Sequence, residues 1–208
     1  MKTVLSLGDS IAFGYRKHLI AALGDGFEVF SKKGDAEAAK DLNIPVGANM
    51  GDSRGTLTYL RFAAENGLLD RDFITINCGL HDIKFNLDTG EIQVGIEEYE
   101  SNLNEIALIL KATGAKVWFV NSTPVYDHVH NTPERIVINR NIVRYARDLQ
   151  AYNAVAEKVM AKHQIPVIDL YSFTLAFGEE AVRDHVHYYP EYEEKQGKYI
   201  AGLILETI

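Results

Sequence analysis

The sequence predicts an α/β fold in which a parallel five-stranded sheet is covered by helices on both faces. Short β-branched or apolar runs alternate with amphipathic helical runs along the whole chain, which is typical of strand–helix–strand units. The 208 residues are 47% hydrophobic, so a core of ordinary size is available. No linker, low-complexity tract or long repeat interrupts the alternation. We therefore expect a single domain over residues 1–208.

The strands are predicted from short apolar runs that end at turn residues. The run 4–7 leads directly into Gly8-Asp9-Ser10, and the run 72–77 is β-branched and bounded by polar residues. The predicted strands are 4–7, 27–30, 72–77, 116–121 and 165–169. Crossovers between them are expected to be right-handed, because parallel strand connections almost always are.

The helices are predicted from apolar residues at helical spacing. The predicted helices are 12–23, one following the segment 49–53 with Leu57, Leu60, Ala64 and Leu68 on one face, 96–113, 139–162 and about 190–205. Asp52 or Ser53 is the expected cap of the second helix, and Gly114 should end the third. The segments 31–48 and 125–136 are expected to be surface connections. Arg140, Arg144 and Arg147 lie at near-helical spacing, which favours a solvated helix face.

The composition disfavours several classes of binding partner. The formal net charge is −8 and there is no basic stripe, which disfavours nucleic acid and anionic membrane surfaces. No window approaches the length of apolar sequence that a membrane span needs. Cys78 is the only cysteine, so no internal disulfide can form. Because Met1-Lys2-Thr3 leads straight into the first strand, a cytoplasmic protein is expected, or a secreted one whose signal was trimmed. The oligomeric state stays open.

Four corners of the predicted sheet carry polar groups: Ser10, Gly51, His81 and the pair Asp184 and His187. In a parallel sheet these corners meet at the carboxyl edge, where ligands bind in open α/β folds. Ser10 would lie at a helix N-terminus, where free backbone N–H groups favour negative charge. Taken alone, this stretch favours Asp9 or Ser10 simply as the helix cap.

Acyl transfer requires the kinds of residue found at these corners. A serine needs an adjacent base, which His187 could supply, and the base needs an acid such as Asp184 to orient its ring. An oxyanion needs fixed donors, and the backbone N–H groups of Ser10 and Gly51 and a ring N–H of His81 are candidates.

Four blocks together resemble the GDSL, or SGNH, hydrolase family: Gly8-Asp9-Ser10, Gly51-Asp52, Gly79-Leu80-His81-Asp82 and Asp184-x-x-His187. The resemblance covers nearly the whole chain and implies a three-layer α/β/α sandwich of flavodoxin-like topology. It also implies that Ser10 is the nucleophile, His187 the base and Asp184 the orienting acid. Ser10, Gly51 and His81 would form the oxyanion hole. We therefore expect a serine esterase that cleaves a small acyl ester, with acetyl favoured and a carbohydrate as one candidate alcohol, without a cofactor.

One position departs from the family pattern. The third block normally carries an asparagine where this chain has His81. A neutral imidazole has one N–H and can still donate, so the hole is either intact with a different donor or weaker. Asp82, beside it, is expected to tether the third loop.

Two other functions compete with the esterase hypothesis. The tetrapeptide Asp-His-Val-His occurs at 127–130 and again at 184–187, and paired histidines with carboxylates can bind a metal. A metal-dependent hydrolase is therefore the rival enzyme, although no metal site is expected when the second copy already serves as Asp-x-x-His. A non-catalytic ligand-binding domain on the same fold is the other alternative.

Overall fold

Seven strands and nine α-helices follow one another along the computed structural model, which describes residues 1–208. The strands are β1 Lys2–Leu7, β2 Phe27–Phe30, β3 Phe73–Ile76, β4 Phe85–Asn86, β5 Glu91–Ile92, β6 Lys116–Val120 and β7 Val167–Ile168. The helices are α1 Ser10–Leu23, α2 Asp35–Ala38, α3 Ser53–Glu65, α4 Ile96–Ala112, α5 Asp127–His130, α6 Pro133–Ile138, α7 Ala146–Lys162, α8 Leu170–Leu175 and α9 Pro190–Leu205, and Glu179–Ala181 forms a 3₁₀ turn.

The main sheet contains five parallel strands in the order β2-β1-β3-β6-β7, which confirms the predicted sheet and its flavodoxin-like order. All four residues of β3 are buried, as expected for a central strand covered on both faces. Helix α1 packs against α9, whereas α4 packs between α3 and α7. These two groups form the outer layers of the α/β/α sandwich.

The order of the strands determines where a ligand can bind. From β1 the chain passes to β2 on one side and then crosses back to β3 on the other side of β1. The switch point of the sheet therefore lies between β1 and β3. The crevice outside the carboxyl ends of these strands is the usual ligand position in open α/β sheets. Ser10, at the start of α1, and His81, in the loop after β3, follow the carboxyl ends of these two strands.

The predicted helix over 139–162 begins later than expected, at Ala146. Residues before it pair with a small antiparallel hairpin, β4–β5, that the sequence analysis did not predict. The Phe85 backbone N–H donates to the Val143 carbonyl at 2.7 Å, and Leu87 N–H donates to Arg140 O at 3.0 Å. These non-local bonds hold the segment in an extended form, so local helical spacing was misleading here.

Other boundaries differ less. The second predicted helix ends at Glu65, so Leu68 lies beyond it and is exposed, and Ala63 rather than Ala64 is buried. The polar connection 125–136 contains the short helices α5 and α6. Gly114, with φ +74°, follows the end of α4 as predicted. None of the helices is both long enough and apolar enough to cross a membrane.

Candidate active site

Ser10 is the first residue of α1, immediately after the turn that leaves β1. Asp9 takes the capping role, because its Oδ1 accepts the Ile11 backbone N–H at 2.9 Å. The Ser10 hydroxyl is therefore not used as the cap. The backbone N–H of Ser10 has no acceptor within the chain and lies at the positive end of the helix.

Ser10, His187 and Asp184 form a continuous hydrogen-bonded series although 177 residues separate the first two. Ser10 Oγ lies 2.9 Å from His187 Nε2, and His187 Nδ1 lies 2.8 Å from Asp184 Oδ2. Since an ionised carboxylate only accepts, Nδ1 carries the proton and Nε2 of the neutral ring accepts from the Ser10 hydroxyl. Both side chains from Ser10 and His187 are buried.

The turn that holds Asp184 organises its own carboxylate. Oδ1 accepts the backbone N–H groups of His185, Val186 and His187, the last two at 3.0 Å, while Oδ2 faces the His187 ring. Burial of the carboxylate would raise its pKa, but the contacts from His185 and His187 and the backbone amides together hold the Asp184 pKa well below its usual range. The carboxylate is therefore ionised at neutral pH.

His81 follows β3 and is buried, with 2% of its surface exposed. Burial, together with the nearby cations Lys84 and Arg144, holds the His81 pKa well below its usual range, so the ring is neutral. Its Nδ1 is enclosed and has no hydrogen-bond partner. A buried lone pair without a partner costs less than a buried N–H without one, which favours a proton on Nε2. That tautomer can donate to a ligand, as an oxyanion donor must.

Gly51 lies in the loop before α3 with φ +72°, and a Cβ there would lie 2.6 Å from Pro45 Cβ. Glycine is therefore required by the loop itself. The Gly51 N–H donates to Asn49 Oδ1 at 3.0 Å. To act as an oxyanion donor it must share or exchange this partner, and its predicted role stays a prediction.

Asp82 joins the loop after β3 to the start of α3. Its two oxygens accept the Ser53 backbone N–H at 2.9 and 3.1 Å, which is the tether expected from the sequence. Burial raises the Asp82 pKa to about 7, against the lowering effect of the Ser53 hydrogen bond. The tether keeps the loops of His81 and Gly51 side by side.

The two Asp-His-Val-His segments come close together. His130, from the first, packs edge-on against His185, from the second, with ring centroids 4.9 Å apart. His130 cannot serve as a metal ligand without losing its partners, because Nδ1 lies 2.9 Å from Asn131 Oδ1 and Nε2 2.7 Å from Arg144 Nη1. The remaining candidate ligands Asp184, His185 and His187 have ligand atoms within 4.8 Å of one another. Asp184 and His187 already form a hydrogen bond with each other.

Two buried residues near the site were not predicted from the sequence. Arg144, expected on a solvated helix face, lies before α7 and is only 4% exposed. Asn49 is fully buried, and its amide donates to the Leu42 and Ile44 carbonyls at 3.0 and 3.4 Å. The position of Asn49, two residues before Gly51, could have indicated that it belongs to the site. For Arg144, the local spacing predicted a solvent-exposed side chain instead of a buried one.

Comparison with known proteins identifies the family. The model of the GDSL-like lipase/acylhydrolase family matches residues 6–192. The chain belongs to this family. The resemblance drawn from the four blocks is therefore confirmed, and this GDSL-like protein is assigned to a family of acyl hydrolases. No curated protein sequence matches it.

Solved structures confirm the fold of this GDSL-like protein. A lipase/acylhydrolase from Enterococcus faecalis superposes with a TM-score of 0.71 at 20% identity, covering 100% of this chain and 97% of the other. The acetyl xylan esterase AlAXEase gives 0.68 at 13% identity, with 98% and 100% covered. Est24, a carbohydrate acetylesterase from Sinorhizobium meliloti, gives 0.66 at 15% identity, with 100% of both chains covered.

Proposed function

We propose that this protein is a serine esterase that hydrolyses small acyl esters, with acetyl the favoured acyl group and an acetylated carbohydrate the favoured class of substrate. The observation that carries the proposal is the series Ser10 Oγ–His187 Nε2–Asp184, with distances of 2.9 and 2.8 Å. A hydroxyl, an imidazole and an ionised carboxylate in this order supply a nucleophile, its base and the group that orients the base.

In the proposed reaction, His187 Nε2 takes the Ser10 hydroxyl proton as Oγ attacks the ester carbonyl carbon. The resulting imidazolium is stabilised by Asp184, and its Nε2 proton passes to the leaving alcohol as the C–O bond breaks. Water, deprotonated by the same nitrogen, then attacks the acyl-serine, and collapse of the second tetrahedral intermediate releases the acid and restores Ser10. Asp184 stays ionised throughout.

The oxyanion of each tetrahedral intermediate would be bound by the Ser10 backbone N–H and by His81 Nε2–H, with Gly51 N–H as the third donor once it exchanges its bond to Asn49. A single donor of this kind is typically worth about 3 to 4 kcal/mol in the transition state. Because the His81 ring is buried near cations and stays neutral, its Nε2–H should be available as a donor at neutral pH.

Three considerations favour a small, polar ester. The sequence contains no lid-like apolar stretch of the sort that would cover an oil-binding site. The structural relatives named above include an acetyl xylan esterase and a carbohydrate acetylesterase, which supports acetylated carbohydrates as the first substrates to test. The net charge of −8 favours an uncharged alcohol over an anionic one.

The test uses p-nitrophenyl acetate turnover and labelling by a serine-directed fluorophosphonate, located by peptide mass spectrometry. The wild-type protein should turn over the ester and carry the label on Ser10. Ser10→Ala should lose both, with kcat reduced by about 10⁴- to 10⁶-fold, as for other triad serines. Ser101→Ala, at an exposed serine on α4, is the matched control and should behave as wild type.

Full activity in Ser10→Ala would end the proposal. A metal-dependent hydrolase would instead show stoichiometric metal in the purified protein and lose activity on chelation. Absence of turnover and of labelling in the wild-type protein, with acetylated sugars bound but unchanged, would favour the ligand-binding alternative. Nitrophenyl esters of increasing chain length and a panel of acetylated sugars would then test the acyl and alcohol preferences.

A further inference from the structure

Arg144 is a buried arginine with no carboxylate within ion-pair distance. Its Nε donates to the Leu80 carbonyl at 2.6 Å, and its Nη1 donates to His130 Nε2 at 2.7 Å. The Asp9 and Asp184 carboxylates attract the guanidinium only from beyond ion-pair distance. Burying an arginine without a directly paired carboxylate is costly. A stable fold could place an apolar side chain here, so the position calls for an explanation in terms of what Arg144 contacts.

One contact reaches the predicted oxyanion hole. Leu80 directly precedes His81, and its carbonyl belongs to the peptide unit that leads into the His81 backbone. Hydrogen bonds from a charged donor are short and strong, and here the acceptor is buried. Arg144 thereby limits the movement of the loop that carries the His81 ring.

The other contact reaches the acid–base turn through two histidines. Because arginine only donates, His130 Nε2 must accept, which leaves its proton on Nδ1, facing Asn131 Oδ1 at 2.9 Å. The His130 ring packs edge-on against His185, and His185 packs edge-on against His187, with centroids 4.9 and 5.6 Å apart. All three rings are at most 3% exposed.

The segment around Arg144 is itself fixed by several bonds. Asn131 Nδ2 donates to the Arg144 carbonyl at 2.6 Å, and the Arg144 backbone N–H donates to Asn131 Oδ1 at 3.1 Å. On the other side, Val143 O accepts from Phe85 N–H. The guanidinium is therefore held by its own backbone as well as by the two groups that it contacts.

We propose that Arg144 is a positioning residue that holds the His81 loop and the Asp184–His187 turn in a fixed relative arrangement, acting on the turn through His130 and His185. The kinetic part of this inference rests on the proposed esterase function, while the geometric part does not. Arg144 connects the two parts of the site that must act on one carbonyl group at the same time. Misplacement by about 1 Å between such groups can cost about 100-fold in rate.

The first experiment compares Arg144→Met and Arg144→Lys with wild type and with Arg147→Met. Arg147, three residues later, has an exposed side chain and serves as the matched control. Arg144→Met should lower kcat by about 100-fold with KM changed by no more than about threefold, because ester binding is retained while alignment is lost. Arg144→Lys keeps the charge but cannot span both acceptors, so it should recover only part of the rate. Arg147→Met should match wild type.

A double-mutant cycle tests the route through His130. If Arg144 acts on the triad through His130, Arg144→Met combined with His130→Gln should lower kcat by less than the product of the two single effects. The proposal would be overturned if the double variant lowered kcat by the full product of the two single effects. It would also be overturned if a folded Arg144→Met protein kept wild-type kcat. If Arg144→Met does not fold, the same comparison is made with Arg144→Lys, for which wild-type kcat would be equally decisive.

A spectroscopic measurement separates this proposal from the esterase assignment. The His187 Nδ1 proton bonded to Asp184 should give a downfield proton NMR resonance, assigned by its loss in Asp184→Asn. In Arg144→Met it should shift or broaden, and in Arg147→Met it should not. This readout needs no turnover, so a wild-type protein without esterase activity would end the proposed function and leave the role of Arg144 testable. An unmoved resonance in Arg144→Met would refute the positioning role.

Discussion

The same four residues, Asp-His-Val-His, occur twice in this protein and take two different structures. At 127–130 they form the one-turn helix α5, in which the Asp127 carboxylate accepts from the Ala146 backbone N–H at 2.7 Å. At 184–187 they form a turn in which the Asp184 carboxylate accepts three backbone amides of its own segment. Only the second copy places its last histidine against a serine.

The difference lies in what surrounds each copy. The last histidine of the first copy, His130, meets the guanidinium of Arg144, and burial together with Arg144 lowers its pKa to about 2. The last histidine of the second copy, His187, meets a carboxylate on one side and a hydroxyl on the other. A histidine beside a cation is kept neutral, whereas one that bonds to a carboxylate can take up a proton during a reaction. Residue pattern alone does not distinguish these environments.

The largest expected difference between the copies is in activity. His187→Gln should lower kcat by about 10⁴- to 10⁶-fold, because the proposed base is lost and glutamine cannot accept and return the proton. His128→Gln, at the exposed histidine of the first copy that pairs with Glu179, should leave kcat within about twofold of wild type. Ester turnover by both purified proteins is the measurement. Equal losses in the two variants would mean that the copies share a role.

The next difference is in stability at acid pH. The Asp184 pKa lies below that of an unfolded-chain aspartate, so the folded protein binds fewer protons at this group. Its contribution to the free energy of unfolding is therefore fully present above about pH 4 and is lost as the pH falls further. Asp184→Asn lacks this contribution. Urea unfolding of both proteins should show a gap in stability at neutral pH that narrows below about pH 4.

If the difference in unfolding free energy between wild type and Asp184→Asn stayed constant down to about pH 3, the Asp184 pKa would not be depressed.

The smallest expected difference is in the stability of the first copy. Asp127→Ala removes the acceptor of the Ala146 N–H at the start of α7, which should cost about 1 kcal/mol in the free energy of unfolding. The kcat of the variant should remain that of wild type. Chemical denaturation combined with ester turnover checks both parts. A large loss of kcat with unchanged stability would show that the first copy takes part in the reaction.

Much of the fold was predictable because its signals are local. The β-branched run that forms β3, the capping residue Asp52 and the terminating Gly114 each act within a few residues of themselves. The predicted helix over 139–162 was wrong at its start, since Val143 pairs with Phe85 far away in the chain. The hairpin β4–β5 was missed because its two short strands carry little apolar periodicity.

The sequence by itself determined the strand–helix alternation, the family and the residues that reach the carboxyl edge of the sheet. Turns, caps and apolar periodicity each depend on residues close together in the chain, so they can be recognised without a structure. Tertiary structure alone decided that Asp9 caps α1 while Ser10 faces His187, that Asn49 holds the Gly51 N–H, and that Arg144 is buried. Each of these depends on groups brought together from distant parts of the chain, or on competition between neighbouring groups for one partner. Tertiary packing decides which group gains the partner, and this choice cannot be predicted from the local sequence.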